Sequence, residues 1–203
     1  MAGESDEAVS AALAAIADDL AQREDALELG HTGLRDELVR RLRRRVGPLT
    51  VVIPGDAVRL RGWPDGIAVV DVGVRGRMAG RQRAVASCAW WSDDQERART
   101  VTGACLMASA ARDGSGDCYL VAGGPPRAWD GDGPEAVLFR EGERATLPLL
   151  RAAALEAVAE GPALVPGRLR TTPVVREPLG PTGGGWELRA ARVDPAGGDL
   201  QIG

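Results

Sequence analysis

Lysine is absent: all 25 basic side chains among the 203 residues are arginine. That excludes Schiff-base chemistry, a P-loop lysine, and any nuclease or transferase that depends on a catalytic lysine. Histidine occurs once, as His31. Multi-histidine metal sites are therefore excluded, and a Ser/His/Asp triad would rest on that one residue. The three cysteines, Cys88, Cys105 and Cys118, are odd in number and contain no C-x-x-C pair. Neither a disulfide framework nor a zinc knuckle is indicated, and their apolar neighbours mark them as core thiols. The N-terminal MAGESDEAVS has no apolar signal core, and no run approaches the roughly 18 apolar residues of a membrane span. The expectation is a cytoplasmic protein with no membrane partner. Arginine without lysine, amid abundant Ala and Gly, reads first as GC-rich codon usage.

What is present is ordinary for a globular domain: 44% hydrophobic and 27% charged residues, with a net charge of −4. That charge argues against a surface that grips nucleic acid all over, but leaves room for a local basic patch. Ser5 to about Leu29 predicts a helix, with Val9, Leu13, Ile16, Leu20 and Leu27 on one stripe. Its other face is acidic (Asp18, Asp19, Glu24, Asp25, Glu28), and Gly30 closes it. A second helix spans about Thr32 to Val46, and Arg40, Arg41, Arg43, Arg44 and Arg45 crowd its end. Those arginines are either a phosphate site or a solvated helix end paired with the acidic first helix; the second reading is preferred.

From Leu49 the pattern changes to short β-rich runs: 49–53, 56–61, 67–74 and 83–91, divided by the turn signals Pro54-Gly55 and Gly62 to Gly66. Ser92-Asp93-Asp94 opens a helix to about Arg112, with Ser92 as the expected N-cap and acids in the first turn. Further strands are expected at 118–122, 135–139, 168–175 and 186–193, with a helix at 147–160. The order indicates an α/β (α+β) protein: an N-terminal helical extension, residues 1–30, then a single domain, 31–203.

The run of one helix, three strands, a helix and a strand, about Leu34 to Ala122, resembles the core of the PD-(D/E)XK nuclease superfamily. The resemblance implies a restriction endonuclease-like mixed sheet flanked by helices. It also implies an acid on the first core helix, a Pro-Asp pair before the second strand, and an acid-x-lysine motif on the third. In that family two carboxylates hold Mg2+, which activates water at the scissile phosphate. Carried over residue by residue, Glu37 stands on the first helix, and Pro64-Asp65 precedes the second strand with Asp71 inside it. Asp65 and Asp71 are thus the candidate metal ligands. The third-strand motif falls at Ser87 and Ala89, where serine replaces the acid and alanine the lysine. Glu96, opening the next helix, is the candidate displaced acid; Arg97 keeps the lysine's charge but stays protonated.

Three functions follow as expectations. The first is a nuclease-like protein with a degenerate site, non-catalytic, acting in binding or assembly. Its partner would be a second copy or another protein, with DNA a candidate through Arg41, Arg44, Arg75 and Arg77. The second is a Mg2+-dependent DNA endonuclease of restriction or defence type. The third is an unrelated α+β fold with a small-molecule pocket beneath the Gly123–Gly133 loop. His31 reads as a capping or surface residue, with Asp36 and Glu37 as its nearest acids. Of the adjacent Trp90 and Trp91, one should pack inside and the other should line an interface or stack on a base, interface burial being the commoner outcome. Asp130-Gly131-Asp132-Gly133 resembles a calcium turn but lacks the ligands that would complete it.

Overall fold

A computed structural model describes residues 2–23, 26–78, 80–140, 145–148, 150–158, 161–180 and 184–202. It is a three-layer α/β/α arrangement around one seven-stranded mixed sheet. Helices α1 (Ala2–Leu20) and α2 (Gly30–Arg45) cover one face. The other carries α3 (Asp94–Arg112), two short turns α4 (Pro126–Trp129) and α5 (Pro134–Val137), and α6 (Arg151–Ala157). The strands are β1 (Thr50–Arg59), β2 (Ile67–Gly76), β3 (Gln82–Trp90), β4 (Asp117–Gly124), β5 (Ala145–Pro148), β6 (Ala163–Pro178) and β7 (Glu187–Ile202). Their order across the sheet is β1-β2-β3-β4-β7-β6-β5. Only β3 and β4 are parallel, joined by the α3 crossover that parallel neighbours require.

The two runs expected at 49–53 and 56–61 form one strand. Pro54 is tolerated because β1 is an edge strand, and Gly55 takes φ +59°, a conformation a side chain would resist. At Gly55 and its neighbour Asp71 on β2 the strand pair turns over. Val52 and Val72 pack under α1 and α2, whereas Val58 and Val70 pack under α3. The expected strand at 135–139 is instead the turn α5, with Leu138 and Phe139 buried after it. The helix expected over 147–160 shortens to α6, because residues 145–148 pair with β6.

The first helix is a layer of the fold and not an appendage. Val9, Leu13, Ile16 and Leu20 are buried on the sheet, and Asp6 accepts hydrogen bonds from Tyr119 Oη (2.7 Å) and Arg192 (2.9 Å). Both adjacent tryptophans are core residues, because each sheet face is roofed by helices. Trp90 stacks on Trp186 (centroids 5.0 Å apart), and Trp91 packs on Trp129 (4.0 Å) and edge-on to Phe139. Neither Trp90 nor Trp91 is left to line an interface.

Candidate functional site

The feature that sets this site is a fork between β2 and β3. Their ladder ends at the pair Val72–Ala86, while β3 continues along β4 as far as Trp90. Beyond the last pair, the β2-facing amides of β3 need another acceptor. Asp71, on the turn-over of β2, supplies it: its Oδ2 accepts the Cys88 N–H at 2.8 Å and the Ser87 hydroxyl at 3.3 Å. Its Oδ1 accepts from His31 Nε2 at 2.8 Å. His31 lies in the first turn of α2, which Gly30 enters at φ +66°. His31 and Asp71 side chains are mostly buried, with 14% and 21% of their surface exposed. Burial works to raise the Asp71 carboxyl, but the hydrogen bonds from His31 and Cys88 outweigh it and hold the group below the usual carboxylate range. The Cys88 thiol beside it is pushed well up by burial and by the Asp71 charge, so it stays a thiol.

The cluster contains serine, histidine and aspartate but lacks triad order. A triad needs the imidazole to accept the serine proton. Here the carboxylate stands between the other two and accepts from both, and a carboxyl held this acidic is a poor base.

The other sequence-derived candidates fall elsewhere. Asp65 is exposed in the tight turn before β2 with φ +55°, a left-handed position that aspartate tolerates. Asp71 lies four residues into β2, roughly 13 Å along the strand from its start at Ile67, so Asp65 in the turn before that start is not placed to share a metal ion with it. Glu37 is six residues beyond His31 on α2, roughly 9 Å along the axis. Its carboxylate is bound by Arg40 and Arg41. Glu96 accepts from Arg99 at 3.2 Å, and its other carboxylate oxygen is buried without a partner. The α3 residue against Ser87 is Gly103, and Glu96 lies seven positions earlier, roughly 10 Å along the helix. Ala89 is buried in the core beneath α3, where a lysine head group would have no water. Among the described residues, no three His, Cys, Asp or Glu side chains are grouped to hold a metal ion.

Of the candidate nucleic-acid arginines, Arg41 and Arg75 are engaged. Arg41 pairs with Asp19 on α1, and Arg75 pairs with buried Asp56 at 2.7 Å. Arg40 also reaches Asp19 (3.4 Å), and Arg43 donates twice to Val52 O. The acidic first helix therefore neutralises the start of the arginine run, as its sequence suggested. Arg44 and Arg77 remain exposed.

Beneath the start of the Gly123–Gly133 loop, the space against Gly124 is filled by tryptophan. A Cβ at Gly124 would meet the Trp91 and Trp129 rings at 2.9 and 3.1 Å. Arg189 covers the outer face of Trp129 at 4.5 Å from the ring centroid and pairs with Glu187 at 2.7 Å. A shallow cleft of about 430 Å3 lies instead between α3 and α6, rimmed by Asp94, Arg97, Glu135 and Glu156.

Sequence reasoning missed His31, whose partner is 40 positions away on another element; no local signal joins them. No family model matches the chain, and neither the curated proteins nor the solved structures contain a match. No helix among the described residues is long and apolar enough to cross a membrane.

Proposed function

We propose that this is a nuclease-like α/β protein whose ancestral metal site has become a structural joint, and that it acts by binding or assembly and not by cleavage. The path α2-β1-β2-β3-α3-β4 supports the likeness to the PD-(D/E)XK core, with Asp71 on the second strand and Ser87 opposite it on the third.

One observation carries the loss of chemistry. Among the described residues the Asp71 carboxylate already accepts from three donors, Cys88 N–H, Ser87 Oγ and His31 Nε2, and no group of three His, Cys, Asp or Glu side chains forms around it to hold a metal ion. A hard divalent ion needs carboxylate oxygens free to turn toward it. An ion on Oδ1 would displace His31, and one on Oδ2 would compete with Ser87 and with the Cys88 amide, which has no other acceptor at the end of the ladder.

The test is to incubate the protein with supercoiled plasmid and Mg2+ or Mn2+, alongside calorimetric titration with Mn2+. The expected result is no nicking and no heat of binding. Cleavage that is abolished both by a chelator and by Asp71→Asn would overturn the proposal in favour of a metal-dependent endonuclease.

A further inference from the structure

The end of the sheet opposite the fork carries a different kind of surface. Two stretches of the chain meet there, and neither contains an acid: residues 38–55, from the last turns of α2 into β1, and residues 72–92, which include the β2–β3 hairpin. The Arg77 N–H donates to Leu49 O (2.7 Å), and the Arg83 side chain reaches Thr50 Oγ1 (3.4 Å), so the helix end and the hairpin form one surface. Arg44, Arg45, Arg77, Arg81 and Arg83 are all exposed on it. None of the five has an acidic partner among the described residues, whereas Arg40, Arg41 and Arg75 nearby are all paired. Two apolar side chains protrude among them: Met78 between Arg77 and Arg81, 88% exposed, and Leu49, 59% exposed.

We infer that this hairpin is a β-ribbon arm for the minor groove of duplex DNA, with Arg77 and Arg81 reaching into the groove, Met78 pressing on a base step, and Arg44, Arg45 and Arg83 on the flanking phosphates. The five arginines outnumber the acids beside them, Asp56 (already paired with Arg75) and Asp117 (on β4, next to Ala84), and so select a polyanion in spite of the overall charge of −4; acids more than a Debye length away, about 10 Å at 0.1 M salt, are largely screened. Arginines flanking an unbranched apolar wedge are the equipment of minor-groove binders. The side chains that would read adenine in the major groove or stack on unpaired bases are missing. The chain has no asparagine, and Gln82 is committed to Asp56 and Ala84 O, so adenine is not read in the major groove. Four of the five tryptophans are buried and Trp186 stacks on Trp90, so nothing here stacks on unpaired bases. The arm lies beyond the closed end of the β2–β3 ladder, away from Asp71, and its use does not depend on whether the fork cleaves.

Fluorescence anisotropy with a 20-base-pair A·T-rich duplex tests this, with cleavage of the same DNA scored separately. Binding is expected with a log–log salt slope of about −4, which the Arg77→Ala/Arg81→Ala variant reduces by about 2 as two phosphate-equivalent contacts vanish. Netropsin, a minor-groove ligand, should displace the protein, and Met78→Ala should lessen DNA bending measured by end-to-end energy transfer. No duplex binding at 50 mM salt would overturn the inference, as would an unchanged slope in the double variant. So would indifference to netropsin, preference for single strands, or tighter binding to phosphatidylserine vesicles than to duplex.

Discussion

Asp71 and Cys88 lie on adjacent strands without being ladder partners, yet the Asp71 carboxylate accepts the Cys88 amide at 2.8 Å. A side chain there continues the work of a strand ladder that has already ended. The most conspicuous acid of the sheet is thereby explained by backbone satisfaction.

That role can be measured by comparing two substitutions. Asp71→Ala leaves the Cys88 N–H buried without an acceptor and should cost about 1–3 kcal/mol in urea unfolding. Asp71→Asn keeps one acceptor oxygen and should cost less. Equal losses in the two variants would mean that the Cys88 bond contributes little.

The same carboxyl sets a pH dependence. Its folded-state pKa lies below the unfolded value, so its contribution to stability is fully present above about pH 4 and is lost as pH falls through the lower, folded value. The stability gap between wild type and Asp71→Asn should therefore narrow as pH falls below about 4. A gap that widened below that pH would contradict the sign.

Gly103 and Ser87 form a second tight contact, between α3 and β3. A Cβ at Gly103 would stand 2.4 Å from Ser87 Oγ and 3.0 Å from its Cβ. Gly103→Ala should cost about 1–3 kcal/mol by overpacking. Combining it with Ser87→Ala removes the nearest clashing atom, so the double variant should be more stable than the sum of the single effects predicts, by at least about 0.5 kcal/mol. Strict additivity in thermal melts would rule out this contact as the cause.

The cysteines give a count. Burial pushes Cys105 up to about 12 and raises Cys88 and Cys118 as well, and all three are free and enclosed. A thiol reagent near neutral pH should label none of them in the native protein and three after denaturation. Rapid native labelling of any one would show that its cover opens.

Removing residues 1–20 tests whether α1 belongs to the core. The cut strips Leu13, Ile16 and Leu20 from the sheet and leaves Tyr119 and Arg192 without Asp6. The shortened chain should fail to give a cooperative melt. A truncated protein that melted normally would restore the view of this segment as an extension.

Local features of this chain were readable in advance, and long-range ones were not. Val9, Leu13, Ile16 and Leu20 repeat at helical spacing, and α3 starts where its capping signal stands, although the cap is Asp93, accepting the Glu96 amide at 2.9 Å, and not the expected Ser92. Those signals lie within one turn of the chain. The fate of 135–139 was misread because β-branched and aromatic residues serve a buried turn as well as a strand. Pro54-Gly55 looked like a turn because its chemistry is that of a turn; only the edge position of β1 lets a strand absorb it. At the site, Asp71 could be picked out as an acid within an apolar strand. Its three donors could not, since His31 and Cys88 reach it from 40 and 17 residues away.

The reversal of β1 and β2 at Gly55 and Asp71 has a consequence for how the molecule comes apart. One hairpin contributes Val52 and Val72 to the packing on one side of the sheet, and Val58 and Val70 to the packing on the other. Loosening either side pulls on the same two backbones, so neither half can melt while the other keeps its shape. The chain is stitched through its own sheet, and it should unfold in a single step.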